Sequence, residues 1–173
     1  MAAIPAVDPA RDHVRGAADG RVTLIEYGDF QCPYCGDAYP AVRELVESLS
    51  WLRFVFRHMP LPDLHPRSPA AAEAAEAAGA QGRFWEMHDR LFEHQHALGD
   101  ADLREHAGAL GLDTERFERD LREHVHAARV EEDLRGGARS GIPSTPRFFV
   151  NGAIHLGSPS GPDLRRAVEA EYG

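Results

Sequence analysis

Val22-Thr23-Leu24-Ile25-Glu26-Tyr27-Gly28-Asp29-Phe30-Gln31-Cys32-Pro33-Tyr34-Cys35 is the stretch on which the reading of this chain turns. It opens as an apolar run of strand length and ends in the protein's only two cysteines. A bond between cysteines so close in sequence closes a loop too small to restrict the unfolded chain, so it suits a disulfide that opens and closes. Beyond it, Ala38, Val42, Leu45, Val46 and Leu49 recur at helical spacing. Pro33 then falls in the first helical turn, where a missing N–H costs little. Cys32 lies at the helix N-terminus, where unpaired N–H groups and the macrodipole favour its thiolate, the nucleophilic form. Cys35, one turn further in, is placed to resolve a mixed disulfide. The local chemistry implied is thiol–disulfide exchange.

The rest of the composition narrows the setting. With 173 residues the chain can hold one full core, or a core with an insertion. A net charge of −9 argues against a phosphate-backbone partner, so no nucleic acid is expected. All 19 basic residues are arginine, which we read together with the many alanines as genome composition. No apolar run approaches the ~20 residues of a membrane span. Met1 to Arg15 lacks the apolar segment of a secretory signal, which leads to the expectation of a cytoplasmic location, or an exported one if a leader has been removed. In a reducing compartment a single CxxC is more often catalytic or metal-binding than structural.

In chain order, residues 1–20 read as an extension ending in a turn around Gly16 and Gly20. A strand follows from about Val22 to Tyr27, then a helix that Pro40 should kink, then a second strand over Trp51–Arg57. These make a right-handed βαβ unit with a parallel pair. Prolines 60, 62, 66 and 69 mark a loop. Four or five helices are expected from there to about residue 140. Ser68-Pro69 is read as an N-cap and first-turn pair, Asp100 and Asp113 as caps, and Gly111 as a helix stop. Phe117, Leu121 and Val125 share one helical face, and Gly136-Gly137 weakens the pattern. Phe148-Phe149-Val150 and Ala153-Ile154-His155-Leu156, joined by Asn151-Gly152, read as a type I′ hairpin. Pro162 and Asp163 open a last helix.

This order, together with four stretches, resembles the DsbA-like thiol–disulfide oxidoreductases from about Asp12 to the C-terminus. The stretches are Val22–Cys35 as quoted, Phe56-Arg57-His58-Met59-Pro60-Leu61, Phe84-Trp85-Glu86-Met87-His88, and Thr145-Pro146-Arg147-Phe148-Phe149-Val150-Asn151-Gly152. The resemblance implies an α/β thioredoxin fold, a mixed central sheet with flanking helices. Residues 21–61 and 141–173 would form it, interrupted by an all-helical insertion over 62–140. It implies a cis Thr145-Pro146 peptide whose loop lies beside Cys32 and pairs with an extended substrate. The partners implied are protein or peptide thiols and disulfides and a redox partner protein, for a monomer or weak dimer. No organic cofactor is required, because the Cys32–Cys35 disulfide is itself the redox group. Two positions depart from the family. Tyr34 stands where strongly oxidising members carry a histidine, which predicts a less acidic Cys32 and a less oxidising potential. Pro143 stiffens the approach to Thr145.

Glu26 lies in an otherwise apolar strand, so burial should raise its pKa and make it a proton acceptor for Cys35. The plainer reading is a strand-end glutamate paired with an arginine such as Arg57. Pro33, Tyr34 and Phe30, with the Pro146 loop, are expected to form an apolar docking surface, unless Phe30 is core. His58, His65, His88, His94 and His96 suggest a CxxC/His metal module, but no second CxxC or paired histidine stands at finger-like spacing, and no metal is expected. The same residues also admit a cytosolic reductase or isomerase of this fold, and a non-catalytic domain that holds clients in the Pro146 groove.

Overall fold

The strand leading to the cysteines, β2 (Val22–Gly28), is buried at every position, as the centre of a sheet covered on both faces requires. The computed structural model describes residues 3–159 and 161–173. β2 pairs in parallel with β3 (Leu52–His58), Val22 opposite Leu52 and Gly28 opposite His58. Its other neighbour, β4 (Arg147–Val150), is antiparallel and turns through Asn151 and Gly152 into β5 (Ala153–Ile154). Asn151 at φ 47° and Gly152 at φ 83° supply the two positive φ angles of the expected primed turn. The crossover between the parallel strands is α1 (Pro33–Ser48), which runs on through Pro40.

A fifth strand corrects the sequence reading. Residues 13–16, expected to lie in an extension, form β1 (His13–Gly16), antiparallel to β3, so the sheet order is β1-β3-β2-β4-β5. Arg57 fastens this segment. Its buried guanidinium donates to both carboxylate oxygens of Asp12 at 2.9 Å, to the Tyr27 hydroxyl at 3.0 Å, and to the carbonyls of Pro5 and Ala6. A buried guanidinium needs this many acceptors to offset its lost hydration. Arg57 is therefore engaged by Asp12 and not by Glu26.

Between β3 and β4 lie α2 (Ser68–Gly79), α3 (Phe84–Glu93), α4 (Asp100–Ala109), α5 (Thr114–Arg122) and α6 (Ala127–Arg139), and α7 (Pro162–Tyr172) closes the chain. Their caps differ in detail from expectation. Ser68 is the first helical residue, with Arg67 at the cap position and the Ser68 hydroxyl buried without a partner. Gly99 caps α4, and Asp102 reaches back to accept its N–H at 2.9 Å. Asp113 does cap α5, accepting the Arg116 N–H at 2.9 Å. Val125 is 54% exposed, because α5 stops at Arg122 and the chain turns at His124 before the face reaches it. α6 continues through Gly136-Gly137. A side chain at Gly137 would meet the Met59 sulfur at 2.8 Å and the Tyr27 ring at 3.2 Å, so the bare backbone lets α6 lie against the sheet.

Alternation along β2 sends Leu24 and Glu26 to one face and Ile25 and Tyr27 to the other. The Leu24 face carries the larger cluster, in which Phe54 and Phe56 of the sheet merge with Ala74, Phe84, Met87 and Phe92 of the helices. The other face packs Ile25, Tyr27, Val55 and Phe149 on Met59 and Ile142. Sheet and inserted helices thus share one core on the side that holds both cysteines.

Candidate active site

Cys32 occupies the N-cap of α1 with extended backbone, and Pro33 fills the first turn. Its N–H donates to the Asp29 carbonyl, and its own carbonyl accepts from Gly36 N–H, both at 3.1 Å. Cys32 and Cys35 are both free thiols, 3% and 0% exposed. The Thr145–Pro146 peptide is cis, and the Thr145 carbonyl lies 3.5 Å from Cys32 Sγ, which donates to it. β2 contributes Glu26 beneath the same site, 3% exposed.

These surroundings separate the two thiols. A hydrogen bond from Cys35 does most to hold Cys32 at a pKa of about 5, well below the ordinary 9.0. The Thr145 side chain and the N–H groups of Cys35 and Tyr34 add to this, and burial opposes it. Cys35 is pushed well up, first by burial, then by its hydrogen bond to Cys32 and by the charges of Glu26 and Cys32. Burial, and secondarily the Cys32 charge, raises Glu26 from 4.5 to about 8. Tyr34 acts on Cys32 through its backbone, while its ring is 68% exposed. The low Cys32 pKa arises without a histidine at position 34, chiefly from the Cys35 thiol, with the backbone N–H groups of Cys35 and Tyr34 adding to it.

Iodoacetamide is accordingly expected to label reduced protein at Cys32 with a midpoint near pH 5 and to leave Cys35 unmodified through neutral pH. Mass mapping of the alkylated sites from about pH 4 to about pH 9 checks this. Equal labelling of both residues would remove the asymmetry.

The expected docking residues divide. Pro33 and Tyr34 are exposed at the start of α1, Pro146 is half-buried, and Thr145 is buried against Cys32. Phe30 is a correction: it is 1% exposed, its ring 4.9 Å from Phe92 and 5.1 Å from Phe56. At the end of β2 its side chain turns into the core, where it joins the insertion to the sheet. Asp29, which in sequence reads only as a turn residue, organises the loop. Its buried carboxylate accepts from Gln31 N–H at 2.8 Å and Leu61 N–H at 3.0 Å and lies 2.8 Å from His65 Nδ1.

The histidines go to separate places. His65 meets Asp29, His94 Nδ1 lies 2.8 Å from the Arg90 carbonyl, and His96 is exposed. His88 is buried among aromatic rings, and burial lowers it to about 4. Among the described residues one group brings three metal-ligand atoms within 4.8 Å of one another, His13, His58 and Glu76, and neither cysteine belongs to it. Nε2 of both histidines lies 2.8 Å from the same Glu76 oxygen. Against the opposing effect of burial, His13 and His58 hold the Glu76 carboxyl well below its ordinary range. His58 Nδ1 is buried with no partner, whereas a metal-bound imidazole normally has its second nitrogen held. The group is therefore a clamp joining β1, β3 and α2.

A CxxC at the start of α1, a cis-proline loop against it and helices inserted into a five-stranded sheet define a thioredoxin-like, DsbA-like oxidoreductase fold. The chain belongs to the thioredoxin family: the family model described as Thioredoxin matches residues 9–170. A thioredoxin-like oxidoreductase from Silicibacter pomeroyi DSS-3 is similar to it at 32% identity and TM-score 0.84, covering 95% of this chain and 94% of that one. BdbD from Bacillus subtilis shares the fold at TM-score 0.85 and 23% identity, over 98% and 96% of the two chains. In sequence, the Na(+)/H(+) antiporter NhaA 1 of Salinispora arenicola (strain CNS-205) is 52% identical over 166 residues, 96% of this chain. The chain spans about a quarter of the length of that relative (26%). No helix among the described residues is long and apolar enough to cross a membrane.

Proposed function

We propose that this chain is a thiol–disulfide oxidoreductase that exchanges disulfides with protein or peptide thiols. The observation that carries the reading is the opposed pair of thiols, Cys32 low at a helix N-terminus and Cys35 high beside Glu26. In the oxidising direction a substrate thiolate attacks Cys32 Sγ, the Cys32–Cys35 bond breaks, and Cys35 leaves and takes up a proton. A second substrate thiolate then attacks the substrate sulfur of the mixed disulfide. The substrate disulfide departs, and Cys32 leaves as the stabilised thiolate. Two electrons pass from the substrate dithiol to the cysteine pair, and a redox partner protein restores the disulfide. In the reverse direction Cys32 attacks a substrate disulfide and Cys35, deprotonated by Glu26, releases the product. Pro33, Tyr34, Thr145 and Pro146 form the surface on which an extended substrate chain would lie. The redox group is the disulfide itself, with no organic cofactor.

Equilibration against a glutathione series, read by thiol trapping, tests this. A reversible two-electron transition is expected. A potential near that of thioredoxin, about −270 mV, makes the chain a reductase suited to the cytosol, and one near about −120 mV makes it a disulfide donor. Absence of any transition would refute the exchange reading. The match to antiporter polypeptides favours a membrane transport protein among the partners, detectable as a mixed disulfide with a Cys35→Ser variant.

A further inference from the structure

One side chain of the helical insertion reaches the backbone carbonyls of the redox loop. Gln95 lies in the turn between α3 and α4. Its amide nitrogen donates to the Phe30 carbonyl at 3.0 Å and to the Cys32 carbonyl at 2.9 Å. Both of its N–H groups are thus committed to the carbonyls on either side of Gln31. The Cys32 carbonyl also accepts the first helical bond of α1, from Gly36. The remaining atom of the amide, Oε1, faces Gly36 itself. A Cβ there would overlap Oε1 and would meet the side-chain carbonyl carbon of Gln95 at 2.7 Å. Glycine is a poor choice inside a helix, and here its bareness is what lets the amide seat.

We propose that Gln95 is a positioning residue for disulfide exchange, through which the helical insertion fixes the carbonyl of the attacking cysteine, and that Gly36 is bare in order to admit it. The physical effect is electrostatic and geometric. A carbonyl oxygen close to a thiolate carries partial negative charge that opposes the anion, and an N–H donor draws that charge away. The same bonds fix the turn from which the N–H groups of Tyr34 and Cys35 reach Cys32. Preset donors of this kind favour the anion because they need no reorganisation when it forms. The reduced form gains, so the pair becomes easier to reduce. The inference rests on the exchange reading above, since it concerns the equilibrium of that same pair.

The test compares wild type, Gln95→Ala, Gln95→Glu, Gly36→Ala and the Gly36→Ala/Gln95→Ala double variant. Two quantities are read: the redox equilibrium against glutathione, and the Cys32 thiolate titration by ultraviolet absorbance. Gln95→Ala is expected to make the pair about fivefold harder to reduce, the scale of one neutral hydrogen bond, and to move the thiolate midpoint upward. Gly36→Ala is expected to do the same, because its methyl group displaces the end of the Gln95 side chain. In the Gln95→Ala background it is expected to add nothing. Gln95→Glu, with a carboxylate against two carbonyls, shifts both quantities further in the same direction. If Gln95 serves only to hold the loop, Gln95→Ala lowers stability without moving either quantity, and the inference is overturned. Additive effects of the two substitutions would also overturn it. Should Gln95→Ala fail to fold, Gly36→Ala alone decides by the same two readouts. If wild type itself shows no reversible transition, the exchange reading fails first. If wild type titrates normally and the variants match it, the inference fails alone.

Discussion

Cys32→Ser is expected to abolish disulfide exchange, lowering the rate against a model peptide by at least about a thousandfold. A serine hydroxyl does not ionise anywhere near neutral pH, so the donors that hold Cys32 at about 5 would have no anion to serve. Cys35→Ser is expected to behave differently. It leaves the nucleophile in place but removes the group that resolves the mixed disulfide, so covalent substrate adducts should accumulate on Cys32. Cys35→Ala would in addition remove the largest single influence on Cys32, the hydrogen bond from Cys35, so there the Cys32 midpoint should rise even though the loop is unchanged. Non-reducing gels and intact-mass measurements distinguish the two serine variants directly. Client binding that survives Cys32→Ser, with no exchange by the wild type, would favour a domain that holds clients in the Pro146 groove and does no redox chemistry.

Features set by near neighbours in sequence were legible, and features set by distant packing were not. The CxxC, the proline after it and the strand before it are local, as is the Asn151-Gly152 turn, whose two positive φ angles only a few residue types adopt readily. β1 gives no clear signal because it is four residues long and lies at the sheet edge, with no fully buried position. Phe30 was ambiguous for a related reason: at the end of a strand, whether a side chain faces solvent or core depends on what the next element brings, here Phe92 of α3. Nothing near position 95 in the sequence announces that Gln95 bonds to carbonyls 63 and 65 residues away. Tyr34 in place of histidine predicts a Cys32 less acidic than in the strongly oxidising members, and a value of about 5 does not contradict this. Residue identity at position 34 does not report the other contributions, which come from the Cys35 thiol and from the backbone N–H groups of Cys35 and Tyr34.

Glu26 is buried in the sheet, as its place in an apolar strand leads one to expect, and that burial yields a signed prediction. In the folded, reduced protein it holds its proton up to about pH 8, whereas an exposed glutamate releases it near 4.5. Between those values the folded state binds more protons than the unfolded one, so stability falls as pH rises through the window and levels off above it. The gap corresponds to at most roughly 4–5 kcal/mol once fully developed. Glu26→Gln, which keeps the shape and cannot ionise, is expected to match wild type near pH 4 and to exceed it by about 3 kcal/mol or more at pH 8. Chemical denaturation of the reduced proteins across that range measures the difference, and parallel profiles for the two would show that Glu26 does not hold its proton. The Cys32 charge contributes to the shift, so the oxidised protein, which lacks the thiolate, is expected to show a smaller difference. The gain in stability should come with a loss of function. Without an acceptor at position 26, deprotonation of Cys35 slows, and resolution of the mixed disulfide is expected to drop about a hundredfold near neutral pH, while the first attack by Cys32 is nearly unchanged. A burst of mixed disulfide followed by slow release, in a protein more stable than its parent, would mark Glu26 as a buried acid retained for proton transfer at the expense of the fold.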